Sequence, residues 1–394
     1  MKTLATSMTA LAACTAAWAE PIISDRNVPV EPGARREVVA EGLEHPWSIA
    51  FPDQKTILVT ERPGRLRVIR EGKLDPNPVA GTPDVFAQGQ GGLLDISLHP
   101  DFTKTRWIYM TYSVGTVEAN RTKLARAEWT GTALTGLTPL FEVSQAKRGG
   151  QHFGSRIAWL SDGTLILSIG DGGNPPSAIE GTLTRDLAQD RMSHLGKLIR
   201  LRDDGSIPQD NAGKADQVGK PELYSLGHRN IQGLAYDNAR GLLWASEHGA
   251  LGGDELNRIK PGGNYGWPLV SYAREYRTGE PIGQGTSRAG LTGPVLVWDV
   301  SIAPSGLMLY DGEAFPQWKG DLFVGALISQ DIRRLDLDDK GNVKGETALR
   351  IGQRVRDVRQ GPDGFVYVLT DEKAGRLLKL FPDANAPVGP TQAR

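Results

Sequence analysis

The sequence is nearly devoid of cysteine, with Cys14 the only one among 394 residues. Cys14 also lies in an N-terminal segment with the character of a cleaved leader, so the remaining chain has no thiol. A cysteine nucleophile, a cysteine-ligated zinc site and an iron–sulfur cluster are therefore excluded. Without disulfides the fold must be stabilised by its buried core, which a chain of this length is able to supply.

An excess of charge of either sign is also missing, since 45 basic and 46 acidic side chains give a formal net charge of −1. No basic tail or stripe stands out, which argues against nucleic acid as a partner. After the first twenty residues no apolar run approaches the ~20 residues of a membrane-spanning helix, so no transmembrane segment is expected. The nucleophile-elbow, zinc-protease, phosphate-loop and dinucleotide-binding motifs are absent too.

The first residues have the pattern of a secretory signal peptide. Lys2 gives a positive start, residues 4–17 are mostly small and apolar, and residues 17–19, Ala-Trp-Ala, fit a cleavage site before Glu20. We therefore expect a signal peptide at residues 1–19 and an exported, periplasmic or secreted chain at residues 20–394. A short N-terminal helix is one alternative. A lipoprotein box at residues 11–14, in which Cys14 would carry a lipid anchor, is another.

Glycine and proline are abundant, at 48 and 25 residues, and short apolar runs rich in Val, Ile, Leu, Tyr and Trp lie between turn pairs. These are the signs of strands and hairpins. One rough unit recurs, in which an apolar strand, a turn, a second strand ending in Thr, Ser or Gly, and a basic-apolar strand follow one another. The six copies begin at Trp47, Leu93, Ser155, Gln232, Ser305 and Val355.

A unit of three or four short strands cannot bury both of its faces alone, whereas radial stacking buries them and leaves only short edges. The sequence therefore predicts an all-β fold, a six-bladed β-propeller with antiparallel four-stranded blades, which fills residues 20–394 as a single domain. A β-sandwich or two smaller β domains are the alternatives. No linker-like stretch separates the units, which favours one closed ring.

In a propeller the loops at one mouth converge on the axis, so polar, glycine-rich loops indicate a site there. Such loops lie at residues 89–92, 149–152, 170–174, 227–230 and 247–249. Among them, His152 is suited to proton transfer near neutral pH. For one histidine taken alone, a solvated loop position is the commoner explanation.

Arginines recur beside these loops. Arg229 precedes Asn230, and Arg354 and Arg356 stand two residues apart, on one side of a strand. Arginine offers a planar set of donors that suits carboxylates and other oxyanions, which predicts an anion site. Hydrogen bonds between blades and salt bridges to acidic neighbours are the alternatives.

Oxygen ligands are concentrated in one further stretch. Asp254 and Glu255 carry carboxylates, and the loop at residues 262–268 offers free backbone carbonyls. This combination suits Ca²⁺, although the spacing is not that of an EF-hand.

At these loops the sequence resembles the soluble quinoprotein glucose/sorbosone dehydrogenases, particularly the bacterial aldose sugar dehydrogenases. The resemblance extends from about residue 40 to residue 381 and covers most of the expected mature chain. Its ordered matches are His45-Pro-Trp, Gln90-Gly-Gly-Leu-Leu-Asp, His99-Pro-Asp-Phe, Gly227-His-Arg-Asn-Ile-Gln-Gly-Leu, Gly253-Asp-Glu-Leu-Asn, Asn264-Tyr-Gly-Trp-Pro, Ala303-Pro-Ser-Gly and Arg356-Asp-Val. Several ordered matches of this kind are highly specific, whereas any single one would not be.

The resemblance implies a six-bladed propeller that binds pyrroloquinoline quinone (PQQ) and calcium and oxidises the anomeric hydroxyl of an aldose to the lactone. By position, His152 resembles the general base and Asp171 the acidic residue that orients it. The residues that resemble cofactor and substrate contacts are Gln90, Arg229, Asn230, Tyr276, Arg354 and Arg356. The carbonyls of Gly249 and Ala250 would ligate one calcium ion, and Glu255 with the carbonyl of Tyr265 a second. An external electron acceptor, a quinone or a small redox protein, would complete the reaction.

The sequence departs from the family pattern at three positions. Ile328 stands where the family usually has a basic residue near the cofactor, which removes one positive contact. Ala250 replaces a frequent proline, and Gln151 replaces an aspartate of some relatives. Ile328 is the feature that favours a non-catalytic, ligand- or protein-binding propeller, and a calcium-dependent propeller lactonase is a further alternative. The chain is expected to be a monomer or a homodimer.

Overall fold

The structure is a computed structural model that describes residues 20–25, 27–215 and 219–383. The predicted signal peptide at residues 1–19, with Cys14, lies outside the described residues. Within the described part, α-helix is limited to two single turns, α1 (Phe102–Thr105) and α2 (Ala212–Ala215). Two 3₁₀ turns, Asp186–Ala188 and Pro316–Trp318, are the other helical segments there. No helix in this part is both long and apolar enough to cross a membrane.

The strands form six sheets of four or five strands, taken here in chain order. Before the first blade come β1 (Ile22–Ile23) and β2 (Ala34–Leu43). Blade 1 consists of β3 (Pro46–Ala50), β4 (Thr56–Glu61), β5 (Arg65–Arg70) and β6 (Lys73–Leu74). Blade 2 consists of β7 (Leu93–Leu98), β8 (Trp107–Gly115), β9 (Asn120–Trp129) and β10 (Leu134–Glu142).

Blade 3 contains an inserted hairpin. Its strands are β11 (Ile157–Trp159), β12 (Leu165–Ile169), β15 (Lys197–Leu201) and β16 (Leu223–Leu226), and the hairpin is β13 (Ala178–Ile179) with β14 (Thr182–Leu183). Blade 4 consists of β17 (Ile231–Asp237), β18 (Leu242–Glu247), β19 (Asp254–Ile259) and β20 (Leu296–Trp298). Blade 5 consists of β21 (Pro304–Leu309), β22 (Leu322–Ala326), β23 (Asp331–Leu337) and β24 (Val343–Arg350). Blade 6 contains β25 (Val355–Gln360), β26 (Val366–Thr370) and β27 (Gly375–Pro382).

The first strand of each blade lies innermost, and these six strands form a closed ring. Contacts run from β3 to β7, β11, β17, β21 and β25, and β25 returns to β3. The prediction of an all-β, six-bladed propeller is therefore confirmed, and the sandwich alternative is wrong. The domain limits at residues 20 and 394 stay a prediction.

Blade 6 is completed from the other end of the chain. Strand β2 pairs antiparallel with β27, for example Val38 with Leu378. Strand β1 adds to the outer edge of blade 4 by parallel pairing, with Ile22 opposite Leu296. The six sequence units did not include either N-terminal strand, because β2 is mostly exposed and lacks a continuous apolar run.

Apolar side chains fill the spaces between neighbouring blades. The second strand of a blade is covered on both faces, so β12, β22 and β26 are buried throughout and read as continuous apolar runs. Outer strands alternate between buried and partly exposed residues, as β23 does. Between blades 5 and 6 the rings of Phe315 and Trp318 stack with centroids 3.8 Å apart. Burial of these surfaces supplies the core that stabilises the described residues, which contain no cysteine.

Charged residues, by contrast, line the axis. Arg156 Nη1 lies 3.2 Å from Asp95 Oδ1 and 3.0 Å from Asp357 Oδ1. Arg359 contacts the same two carboxylates at 3.3 and 3.1 Å. Because Asp95 belongs to blade 2, Arg156 precedes blade 3 and the other two belong to blade 6, these ion pairs join three blades at the centre.

Candidate active site

One mouth of the ring collects two kinds of loop from every blade. Chain segments that enter an innermost strand bring His152, Arg229 and Arg354, and turns that follow a second strand bring Asp171 and His248. Five of the six innermost strands change register near their first residues. Such bulges redirect side chains and are frequent beside functional sites. The polar loops predicted from the sequence therefore meet at one end of the axis.

His152 and Asp171 form a buried pair at the centre of this mouth. The His152 Nδ1 lies 2.6 Å from Asp171 Oδ1, and Trp267 Nε1 donates to Asp171 Oδ2 at 2.9 Å. The His152 amide donates to Gln90 Oε1 at 2.8 Å. A side chain at Gly170 would stand 2.1 Å from the His152 carbonyl, so this approach requires glycine. The direct hydrogen bond between His152 and Asp171 is suited to orient the imidazole ring.

Burial and charge keep the His152 ring neutral. Burial lowers the pKa of His152, Arg229 lowers it further, and Asp171 opposes both. For Asp171, burial alone would raise the pKa, but the His152 ring and Arg229 outweigh it and the pKa is lowered. Asp171 is therefore ionised and accepts the Nδ1 proton, which leaves Nε2 of the neutral imidazole as a proton acceptor.

Arg229 and Asn230 carry buried donors with nothing to donate to among the described residues. Arg229 Nη1 donates to the carbonyls of His248, at 3.1 Å, and Gly249, but its Nη2 has no partner there. Asn230 accepts from the Gly154 amide at 3.2 Å, while its Nδ2 has none. Buried polar atoms are nearly always hydrogen-bonded in folded proteins. Two such donors beside the His152–Asp171 pair indicate a ligand rich in acceptor oxygens.

Arg354 and Arg356 share one carboxylate, that of Asp371. Arg356 Nη2 is hydrogen-bonded to Asp371 Oδ2, and Arg354 Nη2 lies 3.8 Å from the same oxygen. Burial would raise the pKa of Asp371, but Arg356, Arg62 and Arg354 outweigh it and hold the pKa far below its usual range. The salt bridge to an acidic neighbour is thus real, yet it leaves positive charge in excess.

Tyr276 and Ile328 lie further out, with 55% and 60% of their surface exposed. The backbone carbonyl of Arg274, on the loop that carries Tyr276, accepts from the Leu251 amide at 3.0 Å, which joins this loop to the one that carries Gly249 and Ala250. The structure thus places Tyr276 at the rim. Its contact with a bound molecule stays a prediction.

The two predicted calcium positions differ in their surroundings. The Gly249 carbonyl accepts a hydrogen bond from Arg229, so a cation bound there would have to displace the guanidinium. Glu255 lies directly opposite Glu247 across two strands, and burial with the Glu247 charge raises the pKa of Glu255 to about 8. A cavity of about 10 Å³, room for one water-sized sphere, is bordered by both glutamates and Tyr265.

A facing pair of glutamates favours a proton or a cation between them. Asn257 Oδ1, also buried in this region, has no hydrogen-bond donor in the described chain. Groups of three or more His, Cys, Asp or Glu side chains arranged to hold a metal are absent from the described residues. Any ion there would therefore depend on backbone carbonyls as well as on Glu255 and Glu247.

Several residues of the mouth have no individual role in the sequence analysis, although the loops at residues 247–249 and 262–268 are among its candidate segments. They are Arg62, Glu247, His248, Trp267 and Asp371. The sequence contains a signal for four of them, all except Trp267. At the end of three second strands a hydroxyl residue is followed by an acidic one, in Thr60-Glu-Arg, Ser246-Glu-His and Thr370-Asp-Glu. His248 is partly buried, and desolvation followed by the Arg229 charge lowers its pKa to about 3. It stays neutral, and its Nε2 lies 2.7 Å from the Pro304 carbonyl.

Comparison with known proteins agrees with this architecture. The family model described as Glucose / Sorbosone dehydrogenase matches residues 43–379. The chain belongs to the glucose/sorbosone dehydrogenase family. The resemblance seen in the sequence and the enzyme class it implied, a sugar dehydrogenase, are confirmed.

Three relatives show how similar this family member is to other proteins in sequence and structure. It is 53% identical to the uncharacterised protein slr1608 of Synechocystis, over 89% of this chain and 87% of that one. It is 40% identical to the aldose sugar dehydrogenase YliI of Escherichia coli, over 88% and 92% of the two chains. The PQQ-bound aldose sugar dehydrogenase of Streptomyces coelicolor superposes with a TM-score of 0.71 at 27% identity, over 90% and 100%.

Proposed function

We propose that this protein is a PQQ-dependent aldose sugar dehydrogenase that oxidises the anomeric C1 hydroxyl of an aldose to the lactone, with His152 as general base. Its relatives include an aldose sugar dehydrogenase and a PQQ-bound homologue. The observation that carries the proposal is the neutral His152, bonded to Asp171, next to the unpaired donors of Arg229 and Asn230.

The residues of the mouth suit PQQ chemically. The quinone carries three carboxylates and further ring oxygens, and guanidinium groups match carboxylates well. Arg229 Nη2 and Asn230 Nδ2 are buried donors available to such oxygens, and Arg354 and Arg356 add charge. Gln90 and Tyr276 would contact cofactor or substrate from the surrounding loops. When bound, PQQ supplies the two-electron acceptor for the hydride that leaves the sugar carbon.

His152 would accept the proton of the C1 hydroxyl at Nε2. The Nδ1 bond to Asp171 fixes the ring and its tautomer, and the Asp171 carboxylate stabilises the imidazolium that forms. Trp267 in turn holds the second oxygen of Asp171. The lactone then leaves, and the proton returns to solvent through the mouth.

Calcium belongs to the proposal in two places. The carbonyls of Gly249 and Ala250 would hold one ion beside the cofactor, with Arg229 turned away from Gly249. Glu255, with the carbonyl of Tyr265, would hold a structural ion, and Glu247 faces the same position. Hard oxygen ligands of this kind suit Ca²⁺.

The reaction would take place outside the cytoplasm, in the periplasm or after secretion, if residues 1–19 act as a signal peptide. An external quinone or small redox protein would reoxidise the cofactor.

Reconstitution tests the function. The cofactor-free protein, supplied with PQQ and Ca²⁺, should oxidise one or more aldoses of a panel with a redox dye as acceptor, and PQQ should raise the melting temperature. Absence of both effects would contradict the proposal. Ile328 makes a non-catalytic propeller the second candidate, and binding of PQQ without turnover of any aldose would favour it. Ester or lactone hydrolysis without quinone would identify a lactonase.

His152→Ala tests the base. It should lower kcat by about 10²–10⁴-fold and leave PQQ affinity within a few-fold of wild type. His99→Ala, which changes a histidine in the turn between β7 and β8 on the opposite side of the ring, is the matched control and should keep kcat near wild type.

A further inference from the structure

Arg62 lies in the turn between β4 and β5 of blade 1, at the same mouth as His152. Its Nη1 donates to the carbonyl of Gly89, the residue before Gln90, and Gln90 in turn accepts from the His152 amide. Its Nη2 lies 3.9 Å from Asp371 Oδ1. Arg62 therefore joins the loop of Gln90 to the carboxylate shared by Arg354 and Arg356.

The charges at this place do not balance. Within 4 Å of the guanidinium nitrogens of Arg62, Arg354 and Arg356, the described residues contain one carboxylate, that of Asp371. The His45 ring, 3.4 Å from Asp371, adds no negative charge. Three guanidinium groups against one carboxylate leave a net charge of about +2 at ordinary pH, because arginine does not deprotonate in proteins.

Burial makes this imbalance costly. The Arg62 side chain is 18% exposed and that of Arg356 is 10% exposed. The Nε atoms of both are buried without a hydrogen-bond partner among the described residues. Burial lowers the pKa of Arg62. The Asp371 carboxylate raises this pKa, but the Arg356 and Arg354 charges lower it. The Arg354 side chain is 43% exposed, so the group of charges opens to the mouth. Like charges grouped in partly buried positions are stabilised when an anion binds between them.

We propose that Arg62 is the third arginine of a carboxylate-binding subsite in the mouth, formed with Arg354 and Arg356 around Asp371. The subsite takes one carboxylate of a polycarboxylate ligand, which is PQQ if the proposed function holds. Asp371 is hydrogen-bonded to Arg356 and lies within 4 Å of the guanidinium groups of Arg62 and Arg354. Arg354 Nη1 donates to the Leu327 carbonyl at 3.4 Å, which brings it close to the neighbouring Ile328. Ile328 is exposed and contributes no charge to the subsite.

Binding by the cofactor-free protein tests the subsite without turnover. PQQ titrated into Arg62→Gln should bind about 10–100-fold more weakly than to wild type, because a charge-assisted hydrogen bond is lost. Arg62→Lys keeps the positive charge but not the planar guanidinium. Its affinity for PQQ should lie between those of wild type and Arg62→Gln. Arg376→Gln removes an exposed arginine of β27 paired with Glu41, and should bind like wild type.

A second ligand separates this inference from the proposed function. Citrate, a tricarboxylate without a quinone, should raise the melting temperature of wild type more than that of Arg62→Gln. Loss of the citrate effect in Arg62→Gln, with no PQQ binding by wild type, would support the subsite and contradict the cofactor. Wild-type affinity of Arg62→Gln for both ligands would overturn the inference, as would a wild type that binds neither.

The double variant Arg62→Gln with Ile328→Lys adds a further check on charge. It should regain at least part of the PQQ affinity, since the new ammonium lies on the loop next to Arg354. Failure to regain any affinity, together with a reduced melting temperature of Arg62→Gln itself, would assign Arg62 a purely structural role.

Discussion

His152 Nδ1 and Asp171 Oδ1 lie 2.6 Å apart, and neither residue has appreciable contact with solvent. The two come from different loops of blade 3, one before its innermost strand and one after the next. A histidine oriented in this way presents a single nitrogen to the mouth. The pair is therefore the part of the site on which the proposed proton transfer depends most directly.

Asp171→Asn should impair turnover while the fold persists. An amide can keep the Trp267 contact but cannot stabilise the imidazolium, and it allows the wrong tautomer of His152. We expect kcat to fall by about 10²–10⁴-fold, as for other histidines that lose their orienting carboxylate. Steady-state kinetics with a saturating aldose measure this. Trp267→Phe removes the bond to Asp171 Oδ2 and the indole beside Arg229 but keeps the His152–Asp171 pair, so it should lower kcat less. An equal or larger loss of kcat would contradict the assignment.

The protonation of His152 can be followed in the cofactor-free protein. Since burial and Arg229 lower its pKa, the ring should stay neutral down to pH values below the ordinary histidine value of about 6.5. The unfolded chain binds a proton there before the folded one does, so this histidine reduces stability as pH falls below about 6.5. Histidine NMR spectra, assigned with His152→Asn, give the midpoint. A midpoint above 6.5 would contradict the prediction.

In Asp171→Asn the midpoint should move lower still, because the carboxylate is the group that favours the protonated ring. An unchanged midpoint would show that Asp171 does not act on His152 electrostatically.

Particular residues show how much of the fold and of the candidate site could be predicted from the sequence. The strand units at Trp47, Leu93 and the four later copies were visible because apolar runs and turns are local features. His152 and Arg229 were found through glycine-rich loops and the family resemblance. Arg62 and Asp371 were not, because their significance lies in a shared contact between blades 1 and 6, nearly the full chain apart. Strand β2 is missing from the predicted units because it is mostly exposed and lacks a continuous apolar run, and its pairing with β27 joins the two ends of the described chain.

Arg156 should be important for stability. Replacing it by Met would leave the buried carboxylates of Asp95 and Asp357 with Arg359 as their one remaining ionic partner among the described residues. Breaking buried ion pairs in this way costs about 3–5 kcal/mol. Urea unfolding of the variant measures the loss. Arg35→Met, which removes an exposed pair with Glu37, should change the free energy of unfolding by less than about 1 kcal/mol. Similar losses for both would contradict the central role of the axial charges.

Glu255 should carry the response of the fold to calcium. If an ion binds between Glu255 and Glu247, Ca²⁺ should raise the melting temperature of wild type relative to a chelator, since a ligand that binds only the folded state stabilises it. Glu255→Gln should reduce that rise by more than half. Glu118→Gln, an exposed glutamate in the turn between β8 and β9, should keep it. A full calcium response in Glu255→Gln would rule out this position.

Pairing of β2 with β27 also sets the order of events in folding. The last blade has three strands of its own and takes its fourth from a segment made among the first. The ring cannot close until almost the whole chain is available, and contacts of such long sequence separation form slowly. Until then the outer edge of β27 offers unpaired backbone groups to any other chain nearby. A shortened chain that lacks residues 34–43 should therefore associate with itself rather than merely lose stability.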